Sequence, residues 1–320
     1  MDVRRWALQV CFGSALLASC AHRGKGTASA LPETEEVEVA SSKATQVELL
    51  DAGAEPRRAV RYHLPAEGSW TSVVDYKMSQ EVVLGDMPER ASIQPTVRIE
   101  LRTAVVPAEH KGRIQLRQTV GGAELVPEPG MSPELLDKIR QVRIPAMPGF
   151  AVTTESSTRG LLVHSDVEDA LGSMPPKARA IMQNFAQSMR SPLVTFPREP
   201  IGIGAKWKVS TPMNTPLLKA TPRIVQTLTE LEGDKGTLEL SGGMDIPTQD
   251  IQIPSEEGMS ARIESAKTQF GGSTRFDLSS PTTTSEFRME IAMQMVITDG
   301  KNATPARNVT RIRLKGYPRR

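Results

Sequence analysis

From Ala59 onward, apolar and polar residues alternate in short runs. The longest run is Glu286 to Thr298. Phe287, Met289, Ile291, Met293, Met295 and Ile297 hold one parity, and Glu286, Arg288, Glu290 and Gln294 hold the other. Successive side chains of a strand point to opposite faces, so this pattern predicts a strand with one buried and one wet face. The same pattern sets Val97, Ile99 and Leu101 against Arg98, Glu100 and Arg102, and Ile114 and Leu116 against Arg113, Gln115 and Arg117. Further strands are predicted over 73–84, 161–165, 206–210, 223–231, 236–244, 263–270, 273–278 and 309–314. Gly121-Gly122, Gly233-Asp234, Gly271-Gly272 and Asp299-Gly300 read as turns between them. Strands joined by short turns predict an antiparallel sheet.

Two segments carry helical spacing instead. Between Pro175-Pro176 and Ser191-Pro192, the residues Ala178, Ile181, Met182, Phe185, Ala186 and Met189 form one apolar stripe. A shorter helix is predicted from Ser132 or Pro133 to Val142, with Leu135, Leu136 and Ile139 inward. Gly68-Ser69-Trp70 and Gly204-Ala205-Lys206-Trp207 each precede a stretch of strands and suggest a duplication. The expected fold is mainly β with a minor helical part. It is a curved antiparallel sheet, or two related half-sheets (59–190 and 191–320), packed around the central amphipathic helix. Separate β-sandwich domains are the alternative.

Composition narrows the class. Of 320 residues, 38% are hydrophobic and only 4% aromatic, so the core must be aliphatic and rich in Met. Lys and Arg number 39 against 37 Asp and Glu, and the charges interleave. A nucleic-acid binder shows a basic stripe, and none is present, so no nucleic-acid partner is expected. The locally basic end, 311–320, reads as a solvated tail. Cys11 and Cys20 are the only cysteines, which leaves none for a disulfide or thiolate metal site in the folded part.

The first residues read as a leader. Arg4-Arg5 gives a positive start, and Trp6 to Ser19 is uncharged and mostly apolar. That stretch is shorter than the roughly 20 residues a permanent membrane helix needs, and it fits a signal peptide. It ends in Leu17-Ala18-Ser19-Cys20, which resembles the lipobox of bacterial lipoproteins. The resemblance implies that the Cys20 thiol is diacylglycerylated and that cleavage removes residues 1–19. The new amino group is then acylated. Ala21 follows, where an Asp would favour the inner membrane, so the resemblance implies an outer-membrane anchor. Residues 20–58 hold no aromatic side chain and are rich in Ala, Ser, Thr and Glu; they read as a flexible tether, with a short strand or helix near Val47 to Leu50. The β-rich domain is then expected over 59–320.

Three segments of the later chain resemble a group of uncharacterised bacterial lipoproteins. They are Phe196-Pro197-Arg198-Glu199-Pro200, the Gly-x-Gly-x-x-Trp step Gly202-Ile203-Gly204-Ala205-Lys206-Trp207, and Gly272-Ser273-Thr274-Arg275-Phe276-Asp277-Leu278. The resemblance implies no activity. In layout, a curved sheet with a helix laid inside is similar to periplasmic lipoprotein carriers.

No pattern in the chain specifies catalysis, so no enzyme activity, cofactor or metal is expected. His22, His63, His110 and His164 stand at no ligand spacing, and no Gly-x-Ser-x-Gly elbow occurs. Asp245 and Asp250 are the one carboxylate pair with acid–base or calcium potential, and loop aspartates commonly make turns. Gly202-Ile203-Gly204 precedes a strand, so no helix N-terminus follows it to bind phosphate. Asn302-Ala303-Thr304 and Asn308-Val309-Thr310 match glycosylation acceptors, which a bacterial lipobox makes irrelevant. The Met stripe admits two readings. Met182, Phe185 and Met189 on the helix would face Phe287, Met289, Ile291, Met293 and Met295 on the strand. They would form either a closed Met-filled core or a cavity for an acyl chain. The expected function is that of a membrane-anchored envelope lipoprotein with a structural or protein-interaction role. The alternative is a carrier of lipid or lipoprotein acyl chains.

Overall fold

The structure, a computed structural model, describes residues 45–108, 110–129, 131, 137, 149–167, 189, 193–214, 218–252, 260–298 and 302–319. Its strands are β1 (Gln46–Asp51), β2 (Gly68–Leu84), β3 (Arg90–Ile93), β4 (Thr96–Val106), β5 (Arg113–Val126), β6 (Ala151–Ser157), β7 (Leu162–Val167) and β8 (Lys206–Ser210). They continue as β9 (Met213–Asn214), β10 (Lys219–Glu232), β11 (Lys235–Asp245), β12 (Gln249–Gln252), β13 (Ser260–Asp277), β14 (Thr284–Thr298) and β15 (Ala303–Pro318). All join one antiparallel sheet in the order β1-β8-β10-β11-β13-β14-β15-β2-β4-β5-β6-β7, with β12 on β13, β3 on β2 and β9 on β10. The ladder does not close on itself.

The expected half-sheets are therefore one sheet, joined where β15 runs beside β2 from Ala306↔Leu84 to Pro318↔Ser72. Separate sandwich domains are excluded for the described residues. The basic end expected to be a solvated tail is mostly this central strand. Two other expectations need correction. The β-rich domain, expected from residue 59, starts earlier: the short strand or helix expected near Val47 to Leu50 is a strand, with Gln46 to Asp51 paired with Lys206 to Ser210. The Gly pairs expected as turns at 121–122 and 271–272 lie inside β5 and β13. At the first, Glu100 faces Gly122 while Leu101 faces Val120, so Gly121 is the extra residue of a bulge.

No helical element is formed by the described residues. The helices expected over 132–142 and 175–191 lie outside them, apart from the single positions Asp137 and Met189. In the described fold the core is made by the sheet itself. Ile114 and Leu116 of β5 share a buried cluster with Trp207 of β8, Leu228 of β10 and Leu238 of β11. Five strands stand between β11 and β5. In a flat sheet of roughly 4.8 Å spacing they would lie about 29 Å apart. The sheet must therefore curl until its two inner flanks meet.

Two chain segments, 52–63 and 194–204, bridge those flanks at one end. Arg58 and Ile201 exchange backbone bonds of 3.0 and 2.9 Å, and Ala54 N donates to Ile203 O at 2.8 Å. Tyr62 N then donates to Thr158 O at 2.7 Å and Phe196 N to Arg159 O at 2.8 Å, both in the β6–β7 turn. On the opposite flank His63 N donates to Leu278 O at 3.0 Å and Gly204 N to Leu228 O at 2.7 Å.

The outer face is charged and paired. Arg313 donates to Glu286 at 2.6 Å, Arg311 to Glu290 at 2.8 Å, and Arg98 makes a two-point bond to Asp75 at 2.7 and 3.0 Å. Arg311 also reaches Glu81, and Arg319 reaches Glu100. Each exposed pair contributes about 0–1 kcal/mol, so their main effect is to keep this face wet. A lipid-facing barrel carries apolar residues at its outward positions. Here those positions on β14 and β15 carry Glu286, Arg288, Glu290, Arg311, Arg313 and Lys315 toward one end, and Ala292, Val296 and Val309 toward the other. Among the described residues no helix is long and apolar enough to cross a membrane.

A further paired carboxylate supports a pH prediction. Glu128 accepts from Lys77 and from Thr96, and these bonds hold its carboxyl below the usual range. A depressed folded pKa adds stability above the ordinary carboxylate value, and that stability disappears as the pH falls through the folded pKa. Glu128→Gln is expected to cost about 1 kcal/mol at neutral pH. Denaturant melts should show the gap between variant and parent closing in acid; a gap that is constant with pH would refute the assignment.

Candidate functional site

The three segments that carry the lipoprotein resemblance meet in one place. Phe196 is fully buried, with ring centroids 5.0 Å from Phe276, 5.8 Å from Tyr62 and 6.0 Å from Trp207. Trp207 Nε1 donates to Thr195 O at 2.9 Å, and Val194 N donates to the Tyr62 hydroxyl at 3.1 Å. Burial pushes the Tyr62 phenol above its ordinary pKa, so it stays neutral. Gly202 is required because a Cβ there would lie 1.8 Å from Ala54 O. Gly272 is required because a Cβ would lie 2.2 Å from Glu286 O and 2.8 Å from the Phe287 ring. The motif residues thus build the aromatic seal at the bridged end of the sheet.

The rest of the inner face divides into two clusters. One centres on Ile99, Leu101, Val120, Phe150, Val152 and Met189. The other gathers Met78, Met213, Met244, Met293 and Met295 with Ile291 and other aliphatics, and Met87 and Met289 pack against its margin. Seven of the chain's fourteen methionines thus lie in one cluster, at the end opposite the aromatic seal. Of the residues expected to line an acyl cavity, Met289, Ile291, Met293 and Met295 are together. Phe287 packs with the aromatic end, and Met189 belongs to the other cluster. Met182 and Phe185 lie outside the described residues, as does Cys20.

A polar chain crosses this Met-rich face. Gln80 Nε2 donates to Thr310 Oγ1 at 3.4 Å, and Thr310 Oγ1 donates to Asn308 Oδ1 at 3.3 Å. The three residues are 6%, 1% and 3% exposed. Asn308 Nδ2 is buried without a hydrogen-bond partner. Asn308 faces Met293 on one side and Val82 on the other, with Ala306 and Thr310 its neighbours along the strand. The sequence holds a signal for this chain, because Asn308 and Thr310 share parity with Ile312 and Leu314, against Arg307, Arg311 and Arg313.

Other candidates resolve into local pairs. Asp245 pairs with Arg223 at 2.6 Å and Asp250 with Arg262 at 3.3 Å. His63 meets Asp234 at 3.1 Å, His110 meets Glu155 at 3.2 Å and His164 meets Asp166 at 2.7 Å, all on exposed surface. Among the described residues no group of three or more His, Cys, Asp or Glu is placed to hold a metal ion.

No known protein family and no curated protein matches the chain. Among solved structures, the crystal structure of an outer membrane channel from Pseudomonas putida F1 is similar over 81% of this chain and 99% of its own. The identity is 7% and the TM-score 0.17, a likeness that carries no argument about function.

Proposed function

We propose that this protein is a lipid-anchored bacterial envelope protein. Cys20 holds it in the outer membrane, and its curled sheet serves a structural or protein-interaction role without chemistry of its own. The observation that carries this reading is the leader, a positive start and a 14-residue apolar stretch ending in Leu17-Ala18-Ser19-Cys20. The disposition of the fold agrees with it. The signature segments are consumed in the aromatic seal, and Asp245 and Asp250 each pair with an arginine.

The test is the intact mass of the protein purified from its own membranes. The expected chain begins at Cys20 and carries the added mass of two or three acyl chains on that residue. An unmodified chain that retains residues 1–19 would refute the reading.

A second reading, a carrier of acyl chains, is favoured by one observation. Half of the chain's methionines are gathered on one stretch of inner face, and Met adapts to irregular apolar partners better than branched residues do.

A further inference from the structure

The inner face around Asn308 combines two features that a closed aliphatic core lacks. One is the concentration of Met described above. The other is a buried donor with nothing to donate to. In the chain Gln80→Thr310→Asn308 each group donates a hydrogen bond to the next, and it ends at the Asn308 amide, whose Nδ2 has no acceptor. Buried polar groups in folded proteins are nearly always satisfied, so each exception points to something that completes it. Here the missing partner is an acceptor, and it must sit beside Met293 and Val82, the cross-strand neighbours of Asn308.

We infer that the Met-rich end of the sheet binds a neutral acyl ester. The ester carbonyl accepts from Asn308 Nδ2, and the acyl chain lies along Met293 and Met295. This deepens the acyl-binding reading above and rests on it, not on the anchor. The neutrality follows from the surroundings. Every neighbour of Asn308 on this face, Val82, Met293, Ala306 and Thr310, is uncharged. A fatty-acid carboxylate there would be a buried charge without a countercharge, which is strongly disfavoured. An ester carbonyl needs only the one donor that is free. The flexible thioether side chains can change rotamer to admit a chain, and Met87 and Met289, which pack against the cluster from partly buried positions, mark its margin.

The experiment is photolabelling of the full-length protein in its own membranes with a diazirine-bearing long-chain monoacylglycerol, followed by peptide mapping. Label is expected on β14 and β15, around Met293, Met295 and Asn308. Monooleoylglycerol should compete it away, and oleate at neutral pH should not. Asn308→Leu removes the donor while keeping the volume, and it should lower labelling about tenfold, the effect of one hydrogen bond to a ligand. Asn308→Ser, which retains a donor on a smaller side chain, should lose less and guards against a misfolded Leu variant. The inference is overturned if label falls only on the leader. It is also overturned if oleate competes as well as the ester, or if Asn308→Leu folds and labels like the parent, in which case an ordered water satisfies the donor. Membrane attachment of the protein is unaffected by any of these outcomes, so failure here leaves the anchor reading standing.

Discussion

Phe196→Ala is expected to destabilise the sheet by about 3–5 kcal/mol. The phenyl ring is fully buried and touches three other aromatic rings, with an edge-on contact to Phe276 at 5.0 Å and 67°. Its loss removes the transfer free energy of the ring and leaves a cavity that Tyr62, Trp207 and Phe276 cannot fill, since each is held in place. Trp207 is tied to Thr195 O and Tyr62 to Val194 N, and Phe276 stands in register with Gly236. For a chain of this size the melting temperature should fall by roughly 6–20 °C. Ile203, seven residues along, is 52% exposed, and Ile203→Ala should change stability by no more than about 0.5 kcal/mol. Equal melting of the two variants would show that the aromatic seal does not hold the bridged end.

The size of that effect follows from what the seal joins. The ladder is open between β1 and β7, and the two flanks are linked at this end by residues 52–63 and 194–204. Phe196 lies in the second of these segments and packs on Tyr62 in the first. Loosening it should also expose 54–64 to proteolysis before the sheet unfolds, because local opening begins where few contacts hold a segment.

Much of the strand content is legible in the chain. The alternation over 286–298 predicts β14 (Thr284–Thr298) to within two residues, and 206–210 coincides with β8. The elements that escape do so for identifiable reasons. β6 (Ala151–Ser157) turns Thr154 and Ser156 inward, 0% and 2% exposed, so no apolar alternation marks it. β1 is half exposed and sits in a segment of tether-like composition, where the sequence places a short element but leaves strand and helix open. Gly271-Gly272 mimics a turn, but both residues lie in a strand, where the close approach of Glu286 and Phe287 excludes a Cβ at Gly272. Sheet order is a different matter. β1 pairs with β8 and β15 with β2 across more than a hundred residues, and no local pattern specifies such partners. The same applies to the candidate site. The Met strand is readable, whereas the grouping of Met189 with Val120 and Phe150 depends on how the sheet folds and is not written in any local pattern. Asn308 is placed on the inner face by parity, but no local pattern shows that its amide lacks an acceptor there.

Cys20→Ala is expected to move the protein from the membrane pellet to the soluble envelope fraction. The effect is all-or-none for a quantitative reason. One acyl chain gives only marginal, reversible attachment, and each further buried CH₂ adds about 0.8 kcal/mol, so a second long chain adds on the order of 10 kcal/mol. On the lipoprotein reading, removing the thiol would remove the diacylglyceryl group and, with it, the lipobox cleavage that exposes the amino group for a third chain. The substitution also leaves a small-residue A-x-A pattern at the end of the leader, the kind that ordinary leader cleavage uses, so the variant is not left tethered by residues 6–19. Fractionation with an alkaline wash, which strips peripheral proteins, is the decisive measurement. A variant that remains in washed membranes as fully as the parent would mean that attachment comes from something other than Cys20, and the lipoprotein reading would fall.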